Sequence, residues 1–144
     1  MHGRKKTTMK ILDLFCGIGG AARGYELALL DAGFAQEQIS ITGVDHKTMQ
    51  KYPYAFVKSD ALEYFEQLIT SGEIAQYSLI HASPPCQRWS HRTGRRPKGY
   101  WGSAKYPDYI GPLRRLLIQT TERWGHIDWV IENVIAAPLI KPTV

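Results

Sequence analysis

The chain predicts an α/β fold, a doubly wound and mainly parallel sheet, on three observations. Short apolar runs alternate along it with stretches of helical period. The runs are nearly continuous in hydrophobic residues, as strands covered on both faces are. Several of them end in glycine, aspartate or proline, the residues that close strands at a ligand-binding edge.

The first element is a strand over 9–16, where Lys10-Ile11-Leu12-Asp13-Leu14-Phe15-Cys16 breaks into Gly17-Ile18-Gly19-Gly20 before a helix over 20–32. Glycines let the backbone approach a ligand, and the unpaired amides at a helix start attract polar or anionic groups. The spacing Gly-x-Gly-Gly differs from the G-x-G-x-x-G of dinucleotide sites, which argues against a nicotinamide or flavin cofactor. Strands over 39–45 and 55–58 lead to Asp45 and Asp60. A carboxylate after the second strand can accept from two adjacent ribose hydroxyls, and Asp60 from an adenine amino group. Asp60-Ala61-Leu62-Glu63 also fits a capping box that opens a helix over 61–71, with Leu62, Phe65 and Ile69 on its apolar face and Gly72 as its stop. The two roles are compatible.

A strand over 78–83 then runs into Ser83-Pro84-Pro85-Cys86-Gln87. Two prolines fix the backbone before the sulfur and remove two amide donors, which suits presentation of a side chain better than a ladder. A lone cysteine is more often an inert buried residue than a nucleophile. Its place on a rigid turn at the end of an apolar run, in the company of the glycine-rich turn and the strand-end acids elsewhere in the chain, favours the nucleophile.

Residues 87–110 form a long loop carrying Arg88, Arg92, Arg95, Arg96, Lys98 and Lys105 against Asp108, a net charge equal to the +5 of the whole chain. Gln87, Ser90 and the aromatics Trp89, Tyr100, Trp101, Tyr106 and Tyr109 are interleaved with these cations. Cations neutralise phosphates and aromatic faces stack on exposed bases, so the loop reads as a nucleic-acid contact rather than a solvated connection. A helix over 112–124 follows, with Leu113, Leu116, Leu117, Thr120 and Trp124 on one face, and then a strand over 128–134 that places Glu132 and Asn133 among apolar residues. A buried carboxylate is costly without a partner or a task. An edge strand with Glu132 facing water is the bland alternative.

Taken in order, these segments resemble the cytosine-C5 DNA methyltransferase family, closest to its short bacterial and phage members. Asp13 to Gly20 looks like the cofactor motif, Pro85-Cys86-Gln87 like the nucleophile motif and Glu132-Asn133-Val134 like the second catalytic motif. The resemblance implies a Rossmann-like methyltransferase domain with strand order 3-2-1-4-5. It implies S-adenosyl-L-methionine as cofactor, held by Asp13, Phe15, Gly17, Gly19, Gly20, Asp45, Asp60 and Pro85, although Ser59 stands where the family usually has glycine. It implies Cys86 as nucleophile, assisted by Glu132 and Asn133, with Gln87, Arg88, Ser90, Arg92, Arg95, Arg96 and Lys98 toward DNA. It also implies restriction-modification in a bacterial or phage-infected cytoplasm.

Family members continue past the last motif, so the expectation is one partial catalytic domain over 1–144, completed by a missing carboxyl-terminal part or a second chain. Residues 1–8 are expected to fray. Two alternatives stay open: a non-catalytic module binding S-adenosylmethionine or nucleic acid, and a cytosine methyltransferase acting on RNA. Composition fits all three. At 44% hydrophobic residues the chain can build a core, its positive charge favours a polyanionic partner, and its two cysteines form neither a disulfide framework nor a metal-ligand pattern. No apolar run suggests a membrane span.

Overall fold

The computed structural model describes residues 7–89, 105–134 and 137–139. Five strands form one sheet: β1 (Met9–Leu14), β2 (Ile39–Asp45), β3 (Ala55–Lys58), β4 (Leu79–Ala82) and β5 (Asp128–Ile131). Its order is β3-β2-β1-β4-β5, the expected one, and every neighbouring pair is parallel. Helix α1 (Gly20–Asp31) covers one face and helices α2 (Ala61–Ser71) and α3 (Ile110–Arg123) the other.

Alternation along β1 decides which residue faces which layer. Leu12 and Leu14 enter the larger core with Val44, Ile80, Ala82, Phe65 of α2 and Leu113 and Leu117 of α3. Ile11 faces the other way, into a cluster with Ala22 of α1, Ile41 and Tyr52. The registers line up one row across the sheet on this α1 face: Phe56, Gly43, Asp13, His81 and Val130. Two members of that row, Asp13 and His81, are buried polar side chains.

Three boundaries differ from expectation by more than one residue, each for a local reason, and the ends of α1, β4 and α3 differ by one. β1 stops at Leu14 because Phe15 takes φ 57, a left-handed conformation that no strand continues. α3 starts at Ile110, two residues early, because the Asp108 carboxylate accepts from the Ile110 and Gly111 amides and caps the helix before Pro112. β5 ends at Ile131, three residues early, so Glu132, Asn133 and Val134 lie just past a strand end rather than within a strand. The expected α2 range and its Asp60 cap are as found, with the Glu63 amide donating to Asp60 Oδ1 at 3.0 Å. The apolar face of α3 is also as expected: Leu113, Leu117 and Thr120 are buried, and Leu116 and Trp124 pack beside them.

Candidate active site

Parallel strands put all five carboxyl ends on one edge, and the sequence motifs assemble there. The turn after β1 is held from the sheet itself. The Cys16 amide donates to the Val44 carbonyl at 3.1 Å and the Gly19 amide to the Cys16 carbonyl at 3.1 Å. Asp45, buried at the end of β2, accepts from the Gly17 amide through Oδ2 at 3.1 Å and from the Lys47 amide through Oδ1 at 3.0 Å. Gly17 and Gly19 both have positive φ, at 51° and 94°. The space where a Cβ would stand is open at Gly17 and Gly20, whereas at Gly19 it meets the Tyr52 ring and Pro53 at 3.1 Å. The turn is therefore shut on its underside and open above, with Ile18 exposed.

Asp13 sits beneath this turn and does not line its mouth. It is 1% exposed and accepts from the Tyr52 hydroxyl at 3.0 Å. Burial pushes its carboxyl up to about 7, against the lowering effect of the Tyr52 hydrogen bond and with a further raise from Asp45. Tyr52 reaches it by lying across Gly43, where a Cβ would come within 2.3 Å of the ring. Of the remaining cofactor candidates, Phe15 is half-buried and meets Tyr109 edge to face at 5.7 Å. Asp60 is exposed, one carboxylate oxygen capping α2.

The turn after β4 is secured differently. The Ser83 amide donates to the Leu14 carbonyl at 3.2 Å, which ties it to β1. Asn133 Nδ2 donates to the Pro84 carbonyl at 2.8 Å, and its Oδ1 accepts from the Val134 amide at 2.9 Å. The Glu132 amide donates to the Ala82 carbonyl at 3.0 Å, and Glu132 is exposed just past the strand end. Cys86 and Pro85 are half-buried on this turn. Cys16, by contrast, is buried, and burial together with Asp13 and Asp45 pushes its thiol up to about 12. Such a thiol is inert, so the two cysteines divide into one packing residue and one accessible sulfur.

At the described ends of the loop, Trp89 and Arg88 are engaged by the protein itself. Trp89 is not a free stacking platform: it is buried against Ile110 and Ala137, with Val134 and Leu139 beside them. Arg88 lies over the Trp89 ring at 5.4 Å and donates to the Tyr106 carbonyl at 2.8 Å, so its guanidinium works inside the base of the loop. Gln87 is exposed. Ser90, Arg92, Arg95, Arg96 and Lys98 lie outside the described residues, as do 1–6 of the arm expected to fray.

Sequence reasoning passed over His81 and Tyr52. His81 had a legible signal, an imidazole in an apolar strand two residues before Ser83 and therefore on the same face. Tyr52 had none, because its partner lies 39 residues away.

The C-5 cytosine-specific DNA methylase family matches residues 9–99, more than half of the chain. The chain belongs to that family. The match takes in the glycine turn, Asp45, Asp60 and the Cys86 turn. Type II methyltransferase M.AgeI of Thalassovita gelatinovora is 26% identical over 131 residues, which are 88% of this chain and 28% of that protein. The chain thus spans less than a third of that relative's length. Among solved structures, dTDP-glucose 4,6-dehydratase (rfbB) from Bacillus anthracis str. Ames in complex with NAD has a TM-score of 0.48 at 20% identity, over 86% of this chain and 37% of that one. Among the described residues, no helix is long and apolar enough to cross a membrane.

Proposed function

We propose that this chain carries the catalytic and cofactor-binding machinery for methyl transfer from S-adenosyl-L-methionine to carbon 5 of cytosine in DNA. The observation that carries the reading is the shared edge. The glycine turn after β1 and the Cys86 turn after β4 stand on adjacent strands and are joined by the hydrogen bond from the Ser83 amide to the Leu14 carbonyl. In a chain of the cytosine methylase family, a half-buried thiol on a turn next to an open backbone cradle supports this reading.

The residues fit the cofactor. The open space above Gly17 and Gly20 leaves room for a ligand against the turn. Asp45 Oδ2 retains acceptor capacity beyond the Gly17 amide, while Oδ1 takes the Lys47 amide and faces His46 Nδ1 at 3.3 Å. When bound, S-adenosylmethionine supplies an electrophilic methyl group. The protein's part is to make carbon 5 nucleophilic. The Cys86 thiolate adds to carbon 6 of cytosine, which leaves electron density on carbon 5. Glu132, exposed just past β5, is the group to hold the ring nitrogen and exocyclic amine as charge develops there. After transfer, a solvent water takes the proton from carbon 5, and the electron pair left behind expels the thiolate and restores the aromatic ring. A stacked cytosine hides carbon 6, so the base leaves the helix before the thiol reaches it.

DNA containing a cytosine fluorinated at carbon 5 tests this, because fluorine cannot leave as a proton and the adduct persists. The expected result is a peptide adduct at Cys86 that requires S-adenosylmethionine and vanishes in Cys86→Ser. The chain is assayed alone and with a partner chain covering the rest of M.AgeI's length. An adduct at Cys16, or one that persists in Cys86→Ser, would sink the assignment.

A further inference from the structure

We infer that His81 is a positioning residue for the Cys86 turn, tying it to helix α1 through a chain of three side chains. The inference rests on Cys86 being the reactive thiol of the proposed reaction. His81 is 6% exposed in β4. Its Nδ1 lies 2.9 Å from the Tyr25 hydroxyl on α1, and its Nε2 lies 2.8 Å from the Ser83 hydroxyl. The Tyr25 ring meets the imidazole edge to face at 5.4 Å, which fixes the ring plane as well as its two nitrogens.

A neutral imidazole offers one donor and one acceptor, and the hydroxyls at either end can take the complementary role, so the chain closes in either tautomer. Burial holds His81 below its ordinary pKa despite the opposing pull of Glu132, which keeps the ring neutral near pH 7.

The sequence of the turn makes this contact matter. Pro84 and Pro85 have no amide hydrogens, so the donors between residues 83 and 85 are the Ser83 amide and the Ser83 hydroxyl. The amide is spent on Leu14 of β1, and Asn133 past β5 holds the Pro84 carbonyl. The hydroxyl, through His81 and Tyr25, is the tie that leads to a helix, and that helix begins at Gly20 of the glycine turn. The imidazole therefore links the element that opens the cofactor cradle to the segment that carries the thiol.

The experiment is native-state alkylation of the whole chain with iodoacetamide, following the Cys86 and Cys16 peptides by mass spectrometry. It needs neither cofactor nor DNA, so its failure is separate from failure of the methyl-transfer reading. Ser83→Ala and His81→Phe are each expected to speed Cys86 alkylation by about fivefold, the equivalent of one lost hydrogen bond. The double substitution should be no faster than the faster single one, since both break the same tie. Ser83→Thr and His81→Gln, which keep a hydroxyl or an amide in place, should return the rate to within about twofold of the wild type. Slow alkylation of Cys16 shows that each variant is folded. If His81→Phe does not fold, Tyr25→Phe releases the far end of the tie and should also speed Cys86 alkylation. Unchanged Cys86 rates in Ser83→Ala and in the His81 or Tyr25 variant would overturn the inference, as would Ser83→Thr reacting as fast as Ser83→Ala.

Discussion

The glycine turn and the Cys86 turn open on the same edge of the same sheet, yet they are built by opposite means. The glycine turn is backed by a buried carboxylate on β2, a second on β1 and a buried tyrosine laid across a glycine. The Cys86 turn is half-buried, and side chains from outside it, His81 and Asn133, make two of the hydrogen bonds that hold it. A surface that meets one invariant ligand gains from being set before the ligand arrives. A surface that must admit a base swung out of a helix gains from ties that can be released singly. Substitutions around the glycine turn should therefore appear first as lost stability, and those around the Cys86 turn first as altered thiol reactivity.

Gly43→Ala should break the first region most severely. Its new methyl would stand 2.3 Å from the Tyr52 ring, so the ring must leave and Asp13 loses its donor. Overpacking and an unsatisfied buried carboxyl together should cost about 4 kcal/mol. Chemical denaturation measures it, and a loss below about 1 kcal/mol would mean that Tyr52 has another place to go.

The pH dependence of stability should come next in size. Asp13 titrates near an ordinary 3.8 when unfolded and near about 7 in the fold, so the folded chain holds this proton more tightly across that window. Its contribution is complete below about 3.8 and is lost as pH rises through about 7, a change of roughly 2–4 kcal/mol. His81, with its lowered pKa, acts in the opposite sense below its ordinary 6.5. The difference between wild type and Asp13→Asn isolates the aspartate: melting curves from pH 4 to 8 should lose this slope in the variant. Parallel profiles would remove Asp13 as its source.

Asn133→Ala should show the smallest effect on stability, about 1 kcal/mol for one lost hydrogen bond to the Pro84 carbonyl. Its mark belongs on the second region, as faster Cys86 alkylation at nearly unchanged stability. A loss comparable to that in Gly43→Ala would erase the contrast between the two turns.

Most element boundaries were legible because they depend on local periods and on residues that end elements by their own geometry, whereas the sheet order came from the family resemblance and not from any local period. Asp60 and Gly72 bracket α2 within the sequence that it spans. The underside of the site was not legible, because Tyr52, Gly43 and Asp13 meet only once β2 lies beside β1. Asp13 reads as a ligand contact in a motif, yet strand alternation turns it inward beneath the glycine turn. Trp89 reads as a stacking surface in a basic loop, yet Ile110 and Ala137, far along the chain, bury it. In each case the deciding partner is distant in sequence, where periodicity carries no signal.

The two described ends of the basic loop are fastened to each other and to the Cys86 turn. Trp89 at one end packs against Ile110, its amide donates to the Cys86 carbonyl at 2.9 Å, and Arg88 grips the Tyr106 carbonyl at the other end. Trp89 therefore couples the backbone of the Cys86 turn to the first residue of α3, so a change that loosens the indole should be felt at both places together.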